Sequence, residues 1–388
     1  MLSRRINTLS ESLTIAITSL ARELKASGKD VLSFSAGEPD FDTPEPIKEA
    51  AKRAIDEGFT KYTAVDGIPE LKEAIIGKLK RDNGLEYKPE HIIASNGAKQ
   101  SLFNLTQALV DEGDEVIIPA PYWVTYPELV KYAGGKPVII PTTEESGFKI
   151  TPQQLQSAIT PKTKLLILTS PSNPTGAVYT KEELEALAKV LEGTDVWVAS
   201  DEMYEKLVYG GTIFTSTASI SEDMYRRTLT INGLSKSAAM TGWRFGYLAC
   251  PDVELIKAMK KLQSQSTSNV CSITQKAAIP GLDGTIDPII EQMRQAFEKR
   301  RDEAVERFNA IDGLSVLSPD GAFYLFVNHQ KIEPDSMKFA KELLESVGVA
   351  VVPGAGFGSD GYFRFSFATD LDTIKEGISR IERFVQSL

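Results

Sequence analysis

The sequence predicts an α/β protein: a large domain with a mostly parallel sheet sandwiched by helices, plus a smaller α+β domain. Three observations carry this. The chain has 388 residues and 42% hydrophobic content, enough for a large core divided between two domains. From about residue 45, short apolar runs alternate with segments of helical periodicity, the pattern of a sheet covered on both faces. After about residue 282 a long, charged, amphipathic helix opens a different arrangement of mixed strands and helices. The domains are therefore assigned as 45–282 for the large one, with 1–44 and 283–388 forming the small one.

Residues 1–44 read as a polar, partly helical lead ending in the turn-rich run Ser35-Ala36-Gly37-Glu38-Pro39-Asp40-Phe41. Pro46 to Glu57 carries apolar residues at helical spacing. His91–Ser95 is a short strand and Ala98–Val110 a helix. Glu115–Ile118 is a buried strand, stopped by Pro119 and Pro121. Pro137–Ile140, Leu165–Thr169, Val196–Ser200 and Thr228–Ile231 continue the strands, with a clear helix over Lys181–Leu191. In the last third come a helix over Ile286–Ile311, strands at Leu314–Leu317 and Ala322–Val327, and a helix over Ser336–Ser346. Strands at Val349–Val352 and Tyr362–Phe367 and a final helix complete it. No internal repeat or low-complexity tract interrupts the pattern.

Composition narrows the function. A net charge of -10 gives no sign of nucleic-acid binding. No stretch is long and apolar enough to span a bilayer, and the basic start, Met1-Leu2-Ser3-Arg4-Arg5, lacks an apolar signal core, so a cytoplasmic protein is expected. Cys250 and Cys271 form no close pair, and His91 and His329 stand alone. Neither a disulfide framework, a metal site nor histidine-based catalysis is expected.

Several strand ends carry polar residues suited to a ligand, and ligands of open α/β sheets bind at the carboxyl ends of strands. After Thr228–Ile231 comes Asn232-Gly233-Leu234-Ser235-Lys236-Ser237-Ala238-Ala239-Met240-Thr241-Gly242-Trp243-Arg244. Lys236 offers an amine, and the planar fork of Arg244 suits a phosphate. An amine beside a phosphate anchor suggests a pyridoxal phosphate Schiff base. After Leu165–Thr169 comes Ser170-Pro171-Ser172-Asn173-Pro174-Thr175-Gly176, which alone reads as a turn. After Val196–Ser200 comes Asp201-Glu202-Met203-Tyr204, in which Asp201 also suits a helix N-cap. Gly356-Phe357-Gly358-Ser359-Asp360-Gly361 fits a dinucleotide-binding pattern, but a strand-like run follows it where that motif needs a helix. It reads as a mobile loop before Arg364.

Together these motifs resemble the class I aminotransferases of fold type I, and among them the bacterial aspartate aminotransferase branch. The resemblance runs from Leu2-Ser3-Arg4-Arg5 to Phe363-Arg364-Phe365-Ser366. It is most specific at 170–176, 200–202 and 235–244. It implies pyridoxal 5'-phosphate as cofactor, small amino and 2-oxo acids as substrates, and a homodimer with shared sites. Lys236 would form the Schiff base and shuttle the α-proton. Asp201 would keep the pyridine nitrogen protonated, and Asn173 and Tyr204 would hydrogen-bond the phenolic oxygen. Trp123 would stack on the ring, with Tyr122 as a neighbouring candidate. Gly97, Ala98, Lys99, Ser235 and Arg244 would form the phosphate cup, joined by Tyr62 from the partner subunit. Arg364 would grip the substrate α-carboxylate, beside the backbone of Gly37.

For substrate choice the resembled branch uses a lysine at the position of Lys99 with a hydroxyl from the N-terminal segment, where Ser10, Ser12 and Thr14 are available. This favours aspartate with 2-oxoglutarate. Some members of the branch aminate prephenate; Lys99 leaves that open, while Ser10 differs from the lysine of one such relative. A related amino-acid aminotransferase or a β-lyase using the same cofactor is the other enzymatic alternative. A cofactor-sensing regulator would need a DNA-binding segment, for which this sequence shows no candidate.

Overall fold

The computed structural model describes residues 2–10 and 13–388. Its strands are β1 (Leu32–Ser33), β2 (Ile92–Ser95), β3 (Glu115–Ala120), β4 (Lys136–Pro141), β5 (Thr163–Thr169), β6 (Trp197–Asp201), β7 (Thr228–Gly233), β8 (Gly246–Ala249), β9 (Tyr324–Asn328), β10 (Val349–Ala350), β11 (Val352–Pro353) and β12 (Tyr362–Ser366). Its helices are α1 (Leu13–Ala26), α2 (Glu45–Asp56), α3 (Pro69–Asn83), α4 (Ala98–Leu109), α5 (Thr125–Ala133), α6 (Pro152–Ala158), α7 (Lys181–Leu191), α8 (Glu222–Arg227), α9 (Val253–Ser264), α10 (Ser272–Leu282), α11 (Asp287–Asn309), α12 (Ser336–Val347) and α13 (Leu371–Gln386).

Seven strands form the central sheet in the order β2-β8-β7-β6-β5-β3-β4. All neighbours run parallel except β8, which is antiparallel to both β2 and β7. Every residue of β2, β7 and β8 is buried, because helices cover both faces and no strand residue needs to be polar. The chain leaves β7, turns through the loop that holds Lys236, and returns as β8. Sequence patterning did not reveal β8, whose four residues carry no alternation and no turn signal of their own. The expected helix over Lys181–Leu191 is closed at its start by a capping box. The Thr180 hydroxyl accepts from the Glu183 amide at 3.2 Å, and the Glu183 carboxylate accepts from the Thr180 amide at 2.8 Å.

A three-stranded antiparallel sheet, β11-β12-β9, lies in the C-terminal third. Its core is aromatic: Phe297 and Phe308 of α11 pack with Phe323, Phe363 and Phe365, and Phe34 stacks on Phe365 at 4.1 Å. Full burial of each such ring contributes about 1.5–3 kcal/mol. The short β1 pairs in parallel with β10, tying the segment before residue 44 to this C-terminal region.

Two strand assignments need correction. Leu314–Leu317 is not a strand; a single bridge joins Ser315 to Asn328, Leu317 is exposed, and Pro319 follows. The run Val349–Val352 divides between two sheets, its first half on β1 and its end on β12. Gly354–Phe357 is a single 3₁₀ turn followed by β12, so the glycine-rich run there has no helix N-terminus to hold a pyrophosphate. Among the described residues no helix is long and apolar enough to cross a membrane, and no cluster of three or more His, Cys, Asp or Glu could hold a metal ion.

Candidate active site

A cavity of about 530 Å³ opens at the carboxyl ends of β5, β6 and β7 and is closed on the other side by β9, β12 and α1. It gathers Gly37, Ala98, Lys99, Trp123, Asn173, Asp201, Tyr204, Ser235, Lys236, Arg244 and Arg364, residues far apart in the chain. Neither histidine lines it.

Lys236 follows β7 and its amine donates to the Gly37 carbonyl. Burial and the nearby Arg364 guanidinium push the amine down to about 8, against a smaller pull from Glu38. An amine so placed gains and loses a proton near neutral pH. Asp201 ends β6, fully enclosed. Burial raises its pKa, while Oδ2 accepts from the Tyr126 hydroxyl at 2.7 Å and Oδ1 from the Met203 amide at 3.3 Å. Its N-cap reading fails, since no helix starts at β6. Such a carboxylate keeps its charge best when a cationic N–H completes its hydrogen bonding.

Arg364, on β12, is 2% exposed. It donates to Asn173 Oδ1 and to the Ser35 carbonyl, each at 2.8 Å, and lies 4.4 Å from the Tyr324 ring centre. Its Nε has no partner, and among the described residues no carboxylate pairs with it. A guanidinium buried without an anion is costly, so this group is set to receive a carboxylate.

A second anion seat lies at the start of α4. No side chain caps this helix, whose N-cap is Gly97 at φ 84°. A Cβ on Gly97 would sit 2.5 Å from the Arg244 guanidinium, so only glycine lets the arginine lie over the helix start. Lys99 stands in the first turn, 4.7 Å from the Trp123 ring centre. It keeps solvent contact, yet its surroundings lower its amine pKa and the Arg244 charge lowers it further. Two cations at the positive end of a helix repel each other and the dipole; a phosphate or carboxylate between them relieves both.

Tyr62 lies elsewhere, 92% exposed on a loop. Ser10 uses its backbone amide on Glu128, at 2.7 Å, and does not line the cavity. Ser12 and the Thr14 side chain lie outside the described residues. Sequence reasoning missed Ser19 and Arg22 of α1, Thr169, Tyr126 and Tyr324. Tyr126 sits one helical turn after Trp123, a spacing that could have suggested it. Tyr324 has no sequence signal; only the β9–β12 register, with Tyr324 opposite Ser366 and Phe326 opposite Arg364, brings it beside the arginine.

A lysine, a buried carboxylate and two groups of cations without a carboxylate partner among the described residues, at the mouth of such a sheet, have the chemistry that a phosphorylated carbonyl cofactor and a carboxylate substrate need. The profile of the family described as Aminotransferase class I and II matches residues 29–381, and the chain belongs to this family. It is a pyridoxal 5'-phosphate-dependent aminotransferase of fold type I. An aspartate aminotransferase of Bacillus subtilis is 51% identical, over 99% of each chain. An aspartate/prephenate aminotransferase of Cereibacter sphaeroides is 52% identical, over 100% of this chain and 99% of that one. The aspartate aminotransferase of Thermus thermophilus, solved with maleate, superposes with a TM-score of 0.95 at 46% identity over 99% of both chains.

Proposed function

We propose that the protein transfers the amino group of L-aspartate to 2-oxoglutarate, giving oxaloacetate and L-glutamate. The observation that carries this is that, of the basic side chains lining the cavity, Arg244, Arg364 and Lys99 cluster at its two anion-suited positions, none with a carboxylate partner among the described residues. One suits a phosphate and two suit the ends of a dicarboxylate. The names of the Bacillus and Cereibacter relatives, and the maleate of the Thermus structure, support the same reading.

When bound, pyridoxal phosphate supplies an electron sink for the charge left on the substrate α-carbon. In this reading Lys236 is the amine that attaches the cofactor and, once displaced by substrate, moves the proton at the α-carbon. Its lowered pKa suits both jobs. Asp201, held by Tyr126, keeps the ring nitrogen protonated. Asn173 and Tyr204 serve the phenolic oxygen, and Trp123 covers the ring. Arg244, Ser235 and the first amides of α4, from Gly97 through Lys99, hold the phosphate, and Tyr62 of one subunit reaches the phosphate of the other. Arg364 grips the α-carboxylate beside Gly37. The enzyme would thus work as a cytoplasmic homodimer, with residues 45–282 holding the cofactor and 1–44 with 283–388 carrying Arg364.

An amino-donor panel against 2-oxoglutarate tests the assignment. Aspartate should exceed alanine and the aromatic amino acids in kcat/KM; preference for a neutral donor would refute it. Prephenate belongs in the acceptor panel, because the Cereibacter relative bears that name. Lys99→Ala should raise KM for dicarboxylates by about 10- to 100-fold, the loss of one charged contact, and leave aromatic substrates nearly unaffected. Equal effects on both classes would remove Lys99 from substrate recognition.

A further inference from the structure

Tyr324 meets three parts of the site at once. It is fully buried, and its hydroxyl lies 2.8 Å from that of Tyr204. A Cβ on Gly37 would approach the same hydroxyl to 3.0 Å, and the Arg364 guanidinium covers the ring. Gly37 in turn offers its carbonyl to Lys236. The phenol is therefore wedged between the loop that receives the lysine, the buried arginine and the second tyrosine. A phenol needed only for packing could be phenylalanine, as the buried Phe323 before it and Phe326 two residues on are.

We propose that Tyr324 is a positioning residue that acts through Tyr204. With the Tyr204 proton turned into the cavity, the 2.8 Å contact makes the Tyr324 hydroxyl the donor to the Tyr204 oxygen. A hydroxyl that accepts one hydrogen bond donates a stronger one, so Tyr324 reinforces whatever Tyr204 donates to. The positive charge of Arg364 over the ring makes the Tyr324 O–H a better donor, which links the arginine to the oxygen that Tyr204 serves. This rests on the proposed contact of Tyr204 with the phenolic oxygen. The charged groups around the pair are Arg364, Asp201 and Lys236.

The test is a pH titration of the visible absorbance of the holoenzyme in four forms: wild type, Tyr324→Phe, Tyr204→Phe and the double variant. A donor to the phenolic oxygen stabilises its anionic form and lowers the pH at which the neighbouring nitrogen releases its proton. Tyr324→Phe should raise that midpoint by about 0.5 to 1 unit, a roughly 3- to 10-fold change in proton affinity. Tyr204→Phe should raise it further, and the double variant should match Tyr204→Phe alone. A shift in Tyr204→Phe with none in Tyr324→Phe, or shifts that add in the double variant, would overturn the proposal while leaving the role of Tyr204 intact. No shift in either would overturn both. A melting temperature lowered in Tyr324→Phe with an unmoved midpoint would mark a purely structural phenol.

Discussion

Lys236→Ala is expected to lower turnover by about 10⁴-fold, the upper range for loss of a positioned proton-transfer group, while the protein stays folded. The reasons are local. The amine lines the cavity, and burial together with Arg364 depresses it to about 8, as a nucleophile and proton carrier requires. Its partner in the structure is the Gly37 carbonyl, and among the described residues no carboxylate is left unpaired when the side chain is removed. Steady-state and single-turnover rates with aspartate check this. Full turnover by the alanine variant would mean that another group moves the proton.

The second large effect is expected at Asp201. Asp201→Asn keeps the size of the side chain but removes the charge and one of the two acceptor oxygens that take the Tyr126 hydroxyl and the Met203 amide. A preorganised charge in an enclosed site is worth about 10²- to 10³-fold in rate, and kcat rather than KM should carry the loss. The raised pKa of this carboxyl points the same way: burial disfavours its charge unless a cation completes the site. An asparagine variant with unchanged kcat would show that the carboxylate supports only the loop after β6.

Much of this was legible in the sequence. Apolar runs at 165–169 and 228–231 showed the buried strands, because a sheet covered on both faces leaves no polar positions. The residues after those strands pointed to the cavity they line, because loops at carboxyl ends face the same crevice. β8 stayed hidden because four buried residues carry no period, and its antiparallel course depends on how the Lys236 loop turns. Tyr126 and Tyr324 stayed hidden for a different reason. Each touches another cavity residue, Asp201 or Tyr204, across 75 and 120 positions of sequence, and such contacts follow from packing rather than from pattern. The free Nε of Arg364 and the closeness of Arg244 to Gly97 are likewise properties of geometry. They fit the anion-binding roles that the sequence led us to expect of both arginines.

The central claim is that Lys236 is the amine that holds the cofactor. Borohydride reduction of the yellow holoenzyme, followed by proteolysis and mass mapping, tests it most directly. The account predicts that the reduced pyridoxyl group lies on the peptide carrying Lys236; a label on Lys99 or another lysine, or none at all, would contradict it.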